Sequence, residues 1–579
     1  FDRFSLENSN MTIFATSGAG KSITYNDSVM YNDGSGTRMG KIGQVVENIL
    51  SRNSIIKLDT ETEGIIKPNL KVFSFDKDLK GKWAQVDIAA RKLSPATLYK
   101  ITTKSGREVT ITKDHNLVTL KNGELITTKG SDAQIGDFIP LPRKIEIDSE
   151  PKTNTDEHFL TLLGFITSEG HTRKNIVSIT NENQIVLENI KSCIESCGFK
   201  ASPFYKNASK KDIDGYYVRP GPVFAKQIID IGASGDSGTK RVPGFILDLS
   251  KEQIAYYLRA YFEGDGGVEN HEITATTKSK ELSSDLAYLL LRFGIIARIK
   301  LRRKAATNTI AKQKRNYYRV SISGQDYIRK FIKDVGFVTK EKNQKARALL
   351  KKGNTNVDVI PEIGNVFKEI YKELYNSENP APKKFSEIKL GIFKPSPKNL
   401  ISILAKIENR IKQIEALEDD GLSTLSALPI IKSGISPHLK TVLHTIQTTH
   451  NYNYSPQYVG GAIYRSFKET GISLQKFDKS LWESVVLGNV NPEYNRVINA
   501  RNFITKEYQA KKERLKEIKN KIAWLITLAK SDLFWDPIVK IKKVKAKHKY
   551  VYDLQVENAV FLAGHAGLFV HNSFFVKLE

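Results

Sequence analysis

Cysteine is almost missing from this chain. Two occur among 579 residues, Cys193 and Cys197, one helical turn apart with no histidine or second cysteine pair beside them. Two cysteines give no disulfide framework, and this pair reads as core packing rather than metal ligation. A reducing cytoplasm is the expected compartment. Long apolar runs are missing too, so no segment reads as a membrane span or a signal peptide. Acidic residues are in short supply: 63 Asp and Glu stand against 89 Lys and Arg, a formal net charge of +26. That excess favours a polyanionic partner such as DNA. What remains is 40% hydrophobic residues, ordinary for globular cores, on a chain long enough for several domains.

The two ends carry the most specific signal. Near the start, Ala15-Thr16-Ser17-Gly18-Ala19-Gly20-Lys21-Ser22 looks like a Walker A loop with Ala15 at the usual first glycine. Such a loop needs a following helix, whose N-terminal amides cradle phosphate. Instead a strand-like run follows Ser22, then a Gly/Asp turn. Near the other end stands Val570-His571-Asn572-Ser573. An asparagine amide can attack its own carbonyl to form a succinimide, which cuts the chain after it. A preceding histidine can move protons around that carbonyl, and a following hydroxyl can carry an acyl group. Joining Lys21 directly to Ser573 restores the P-loop and runs it into Phe574-Phe575-Val576-Lys577-Leu578-Glu579, a plausible helix start. The intervening segment therefore splits a motif that its removal would heal.

On these residues the chain resembles an intein interrupting the P-loop of a host NTPase. Ser22-Ile23-Thr24 with Asp27-Ser28 resembles the first intein block. Gly106 to His115, with its Thr112-x-x-His115, resembles the second, and Val551-Tyr552-Asp553-Leu554 with Phe561-Leu562-Ala563 the block before the end. Gly567 to Asn572 resembles the last. Many inteins carry a histidine two residues before that phenylalanine; here the position is Ala559, with His565 nearby. The resemblance implies four steps. The Ser22 hydroxyl attacks the Lys21 carbonyl, His115 and Thr112 assisting departure of the amide nitrogen. Ser573 then takes the acyl group, with Asp553 positioning and moving protons. Asn572 cyclises with help from His571, and the new Lys21–Ser573 ester rearranges to an amide. Splicing needs no cofactor.

The resemblance divides the chain into an N-extein fragment (1–21), a splicing domain in two parts (22–145 and 531–572) and a C-extein fragment (573–579). Period-two patterning with glycine turns in both splicing segments argues an all-β module; for the family this is the horseshoe Hint fold, closed from both chain ends. Lys41 to Leu50 reads as a short helix. Residues 146–345 alternate differently, as a duplicated αββα-type α/β unit. Residues 346–530 read as an additional, mostly helical, Lys-rich region with possible DNA contact. The fold class is thus multidomain: all-β splicing domain, α/β nuclease domain, helical domain.

Two segments of the α/β region, Leu162 to Gly170 and Leu258 to Gly266, resemble the LAGLIDADG motif of homing endonucleases. Gly164 and Ser168, like Ala260 and Gly264, recur at spacing four on one helix face, so two such helices can pack closely. Their ends would then bring Glu169 and Asp265 together. Two adjacent carboxylates repel unless a divalent cation sits between them, and hard oxygen ligands suit Mg²⁺. Lys240, in Lys240-Arg241-Val242-Pro243, is a candidate to orient water or stabilise phosphate. Arg173, Lys174, Lys206, Lys210, Arg302, Arg303, Lys304, Lys312, Lys314, Arg315 and Arg319 are candidates for DNA phosphates, with Tyr317 and Tyr318 interleaved. The expected partners are double-stranded DNA at the uninterrupted host gene and the host extein in cis, with no membrane, for a monomer. The alternatives are a splicing element with an inactive nuclease, and a nucleotide-binding P-loop protein.

Overall fold

The computed structural model describes residues 2–5, 12–15, 21–147, 155–206, 212–305, 314–350, 357–375, 380–416, 470, 472, 477–480 and 494–572. Helices are α1 (Ile42–Leu50), α2 (Glu157–Glu169), α3 (Gln184–Ser196), α4 (Gly221–Asp230), α5 (Lys251–Gly264), α6 (Lys280–Arg292), α7 (Gln325–Asp334), α8 (Lys340–Ala348), α9 (Gly364–Leu374), α10 (Lys383–Lys389), α11 (Pro397–Glu415) and α12 (Tyr494–Lys530).

The chain divides into two units. The first holds residues 1–121, 125–359 and 531–579; the second holds 122–124 and 360–530. The first unit is built around a sixteen-stranded sheet that draws on both ends of the chain. Thr97–Thr103 pairs with Leu533–Lys545, and Gly81–Leu93 pairs with Tyr550–Val556. The short strand Ile23–Thr24 lies between Glu108–Ile111 on one side and Tyr550–Val556 on the other. Alternation drives this arrangement: Val109 and Ile111 are fully buried while the residues between them are half-buried, as period-two side chains require. The last two strands, Val560–Ala563 and Leu568–His571, form a hairpin whose eight residues are all buried.

The same unit contains two repeats, each running α-β-β-α-β-β-α. The first spans α2 to α4 and the second α5 to α7, and each carries a four-stranded sheet of the same strand order. Each is two strands and a helix longer than the αββα unit read from sequence. The added strands include Lys200–Tyr205, whose Ser202 and Pro203 hide the alternation. The opening helix of each repeat starts on a capping residue: Asp156 accepts from the backbone amides of His158 and Phe159, and Ser250 forms a capping box with Gln253. Past the second repeat, the segment between α7 and α8 is held to α5 through Glu263, whose carboxylate takes the Thr339 amide and hydroxyl.

In the second unit, Tyr508 of α12 donates to the Ile414 carbonyl at the end of α11, 2.6 Å, and Phe367 of α9 packs on Phe385 of α10. Much of the helical region read from sequence lies outside the described residues, as do Lys210, Lys312, Ser573 and most of both flanks. Among the described residues no helix is long and apolar enough to cross a membrane.

Candidate functional site

Pairing of Ile23–Thr24 between two strands fixes Ser22 at the edge of the sheet core, 5% exposed. Its backbone amide, the nitrogen of the Lys21–Ser22 bond, donates to Thr112 Oγ1 at 3.2 Å, and its carbonyl accepts from the Thr112 amide at 3.0 Å. Thr112 and His115 share one turn, closed by a His115 N–H to Thr112 carbonyl bond of 3.3 Å. His115 is fully buried, and neither ring nitrogen has a hydrogen-bond partner among the described residues. Burial, followed by the nearby His571 and Lys21 charges, pushes its pKa down to about 3. Burial thus holds the ring neutral, with both nitrogens left without a partner among the described residues.

The other junction is reached from the C-terminal hairpin. Val560 pairs with His571, and the Asn572 amide donates to the Ala559 carbonyl at 2.8 Å. Asn572 is fully buried; its Nδ2 donates to the Leu554 and Val556 carbonyls at 3.2 and 3.4 Å. His571 Nδ1 lies 2.7 Å from the Asn572 carbonyl oxygen. That oxygen can only accept, so Nδ1 carries the proton and polarises this carbonyl. Burial first, then the Lys21 charge, lowers His571 to about 4.

Lys21 connects the two junctions. Its side chain is buried, its pKa is lowered by burial and raised by the Asp553 carboxylate, and its charge is felt by both His115 and His571. Asp553 is itself buried, on the strand next to Ile23. Ser22 is thus bonded to Thr112 and His571 to Asn572, while the Lys21 charge acts on His115, His571 and Asp553 alike. Ala559 adopts a left-handed backbone, φ 55°, closing the turn whose carbonyl holds Asn572. His565 sits at the opposite end of the hairpin, where its backbone pairs with Glu108, and it does not take the place of a histidine at 559.

A second cluster forms where α2 and α5 end. The small residues do meet: a Cβ on Gly164 would lie 2.4 Å from the Tyr257 carbonyl, and one on Gly264 2.3 Å from Ser168 Oγ. This close crossing juxtaposes Glu169 and Asp265. Burial and then the Glu169 charge push Asp265 up to about 7, while burial raises Glu169. The mutual repulsion is what a cation between them would relieve. Among the described residues no group of three or more His, Cys, Asp or Glu forms a metal cage. Lys240 Nζ donates to the carbonyls of Ile166, Thr167 and Gly170 at 2.8–3.0 Å. All three protons thus cap the end of α2, and the charge acts on Glu169 and Asp265 through space. Lys342 is its counterpart in the second repeat, donating to the carbonyls of Glu263 and Gly266 at the end of α5. The repeat itself is the signal that could have found it.

The basic candidates separate by face. Arg302 pairs with Tyr317 and Lys304 with Arg315 across the last two strands of the second repeat, and Lys300 with Arg319 continues the row. The intervening Ile299, Val320 and Ile322 are buried, so Lys300, Arg302 and Arg315, all exposed, face away from the core. Lys300 belongs to this row and was missed. Arg303 falls on the other face, exposed beyond the core's edge. Arg319 departs from expectation: it is buried and its guanidinium is taken up by Glu269 and Glu272, which leaves it no free charge for phosphate. Arg173 and Lys174 are exposed in the first repeat, and Tyr318 turns toward His565.

A family model described as the intein splicing domain matches residues 32–572. The chain belongs to the intein family. Among curated relatives, this intein is 28% identical to a replication factor C small subunit of Methanocaldococcus jannaschii, over 96% of this chain and 30% of the relative. It is 25% identical to a replication factor C small subunit of Thermococcus kodakarensis, over 96% and 63%. The intein thus spans less than two thirds of these relatives. Among solved structures, it is similar to the transcription factor IIB Mvu mini-intein at 22% identity, covering 22% of this chain and 72% of that one, TM-score 0.21. A chain from the structure of I-DmoI in complex with DNA and Mn is 13% identical, covering 31% and 96%, TM-score 0.23.

Proposed function

We propose that this intein excises Ser22–Asn572 and joins Lys21 to Ser573, and that its two repeats form a site-specific homing endonuclease. The bond from His571 Nδ1 to the Asn572 carbonyl carries the splicing reading, because a buried donor there would stabilise the negative charge that develops on that oxygen as Nδ2 attacks. At the first junction, Thr112 Oγ1 accepts from the departing nitrogen's N–H, while His115 is placed to deliver the proton that lets it leave. Attack by Ser22 Oγ then exchanges an amide for an ester. Transfer to Ser573 gives a branched chain. Cyclisation of Asn572 breaks its bond to Ser573, whose freed amine attacks the ester to restore a peptide. Rejoined, the flanks read as a P-loop, which points to an NTPase host.

For the nuclease, Glu169 and Asp265 would hold a divalent cation such as Mg²⁺, which when bound supplies Lewis-acid stabilisation of the scissile phosphate. Lys240 and Lys342 fix the two helix ends that carry them. Arg302, Lys304, Arg315 and Lys300 would track phosphates along the groove. Mass spectrometry of the purified chain, beside a Ser22→Ala/Asn572→Ala control, tests splicing: the excised Ser22–Asn572 segment less one water, with a joined flank peptide, is expected only from the unmutated chain. Digestion of DNA carrying the uninterrupted host gene, with and without Mg²⁺, tests the nuclease. Intact protein or uncut DNA would remove the corresponding half.

A further inference from the structure

The hairpin that ends in His571 and Asn572 is not held by the splicing sheet alone. Its closed end, Gly564 to Gly567, rests on α6 of the second repeat. Ser284 Oγ accepts from the Ala566 amide at 2.8 Å, and Tyr288 donates to the Gly564 carbonyl at 3.2 Å. Both side chains are buried, 1% and 0% exposed. Gly567 sits at φ 85° with the Tyr288 ring 3.0 Å from where a Cβ would be. Arg107, fully buried, joins the same contact from the splicing sheet: its Nε donates to the Ala566 carbonyl at 3.0 Å and its Nη1 to the Ala297 carbonyl at 3.1 Å, just past α6. The turn before Arg107 closes the seam, since Ser105 accepts from the Ile299 amide at 2.7 Å, and a Cβ on Gly106 would meet the Ile299 carbonyl at 1.8 Å.

The hairpin pairs Val560–Ala563 with Leu568–His571 along its whole length. Displacement at its closed end therefore carries to its open end, because a paired strand cannot slip without turning every side chain over. From this arrangement we infer that Ser284 and Tyr288, residues of the nuclease repeat, are positioning residues for Asn572 cyclisation. They touch neither junction. They set where the hairpin places the Asn572 Nδ2 relative to its own carbonyl. In the step they serve, Nδ2 forms a bond to that carbonyl carbon and gives up a proton. The bond to Ser573 breaks, and the leaving nitrogen takes up a proton.

The inference rests on the splicing reading, and separate assays of the two junctions tell their failures apart. Ser284→Ala and Tyr288→Phe each remove one polar contact and little volume. In an Asn572→Ala background, hydroxylamine cleavage reports ester formation at Ser22; in a Ser22→Ala background, C-terminal cleavage reports cyclisation. The double variant is expected to slow C-terminal cleavage about 10-fold, as loss of two buried hydrogen bonds would, with hydroxylamine cleavage within about 2-fold and Tm lowered by only a few degrees, so that the chain stays folded at the assay temperature. Unchanged C-terminal cleavage would overturn the inference, as would a parallel fall of both reactions with Tm. A parent chain that reacts at neither junction would overturn the splicing reading and the inference with it.

Discussion

Asn572 is held by donated hydrogen bonds, and so is the carbonyl it must attack. Replacing His571 with Ala should remove the donor and slow C-terminal cleavage roughly 10²- to 10³-fold. Ester formation at Ser22 should persist, so hydroxylamine would still cut the variant; loss of both reactions would place His571 in the fold rather than the chemistry. Asp265 gives a pH-dependent counterpart at the other site. Pushed up to about 7 by burial and Glu169, it is largely protonated below pH 7 and ionised above, and a cation must displace that proton. The Mg²⁺ concentration for half-maximal DNA cleavage should therefore rise roughly tenfold per pH unit as pH drops from 7 to 5. A flat titration would mean that Asp265 does not bind the cation. At this scale the sequence was most legible where chemistry restricts residue type: the pattern of Thr112, His115 and Asn572 needs no structure to suggest a role. Lys342 was legible only through the repeat, since within Lys340 to Lys345 nothing local distinguishes one lysine from its neighbours before its carbonyl partners are seen.

Among elements, the last two strands of the second repeat decide which basic residues matter. Lys300, Arg302, Lys304 and Arg315 share a face by alternation. Substituting Arg302 or Arg315 with Ala should weaken DNA binding across all sequences and reduce the slope of log affinity against log salt by about 1 each. Arg319→Ala should leave that slope unchanged and lower Tm instead, because it unpairs Glu269 and Glu272; salt-titrated binding with thermal melts separates the two. Sequence singled out the basic residues of this segment but not the faces they fall on, since charged residues on successive positions blur the period of two. The close crossing of α2 and α5 was legible from small residues four apart, because only such spacing lets backbones approach. The extra strands of each repeat were not, their polar and proline content giving no alternation.

The whole molecule brings together junctions that lie at opposite ends of the chain, through one sheet fed from both. Splicing should accordingly be intramolecular: its first-order rate constant should not change over a 100-fold range of protein concentration. A mixture of Ser22→Ala and Asn572→Ala chains should yield no joined flank. A rate that rises with concentration would show exchange of segments between molecules. That a single sheet contains both ends followed from the β patterning of both segments and the split motif; that the repeats share a unit with it did not, because the contacts binding them are scattered single hydrogen bonds and close approaches at glycines, which carry no sequence pattern. These approaches bear on how such an element persists. A segment cannot be discarded freely when Gly106 and Gly567 rest on it. Each deletion within the repeats would have to rebuild the turn it exposes before the sheet could fold again, so the splicing sheet's own need to fold holds the repeats in place.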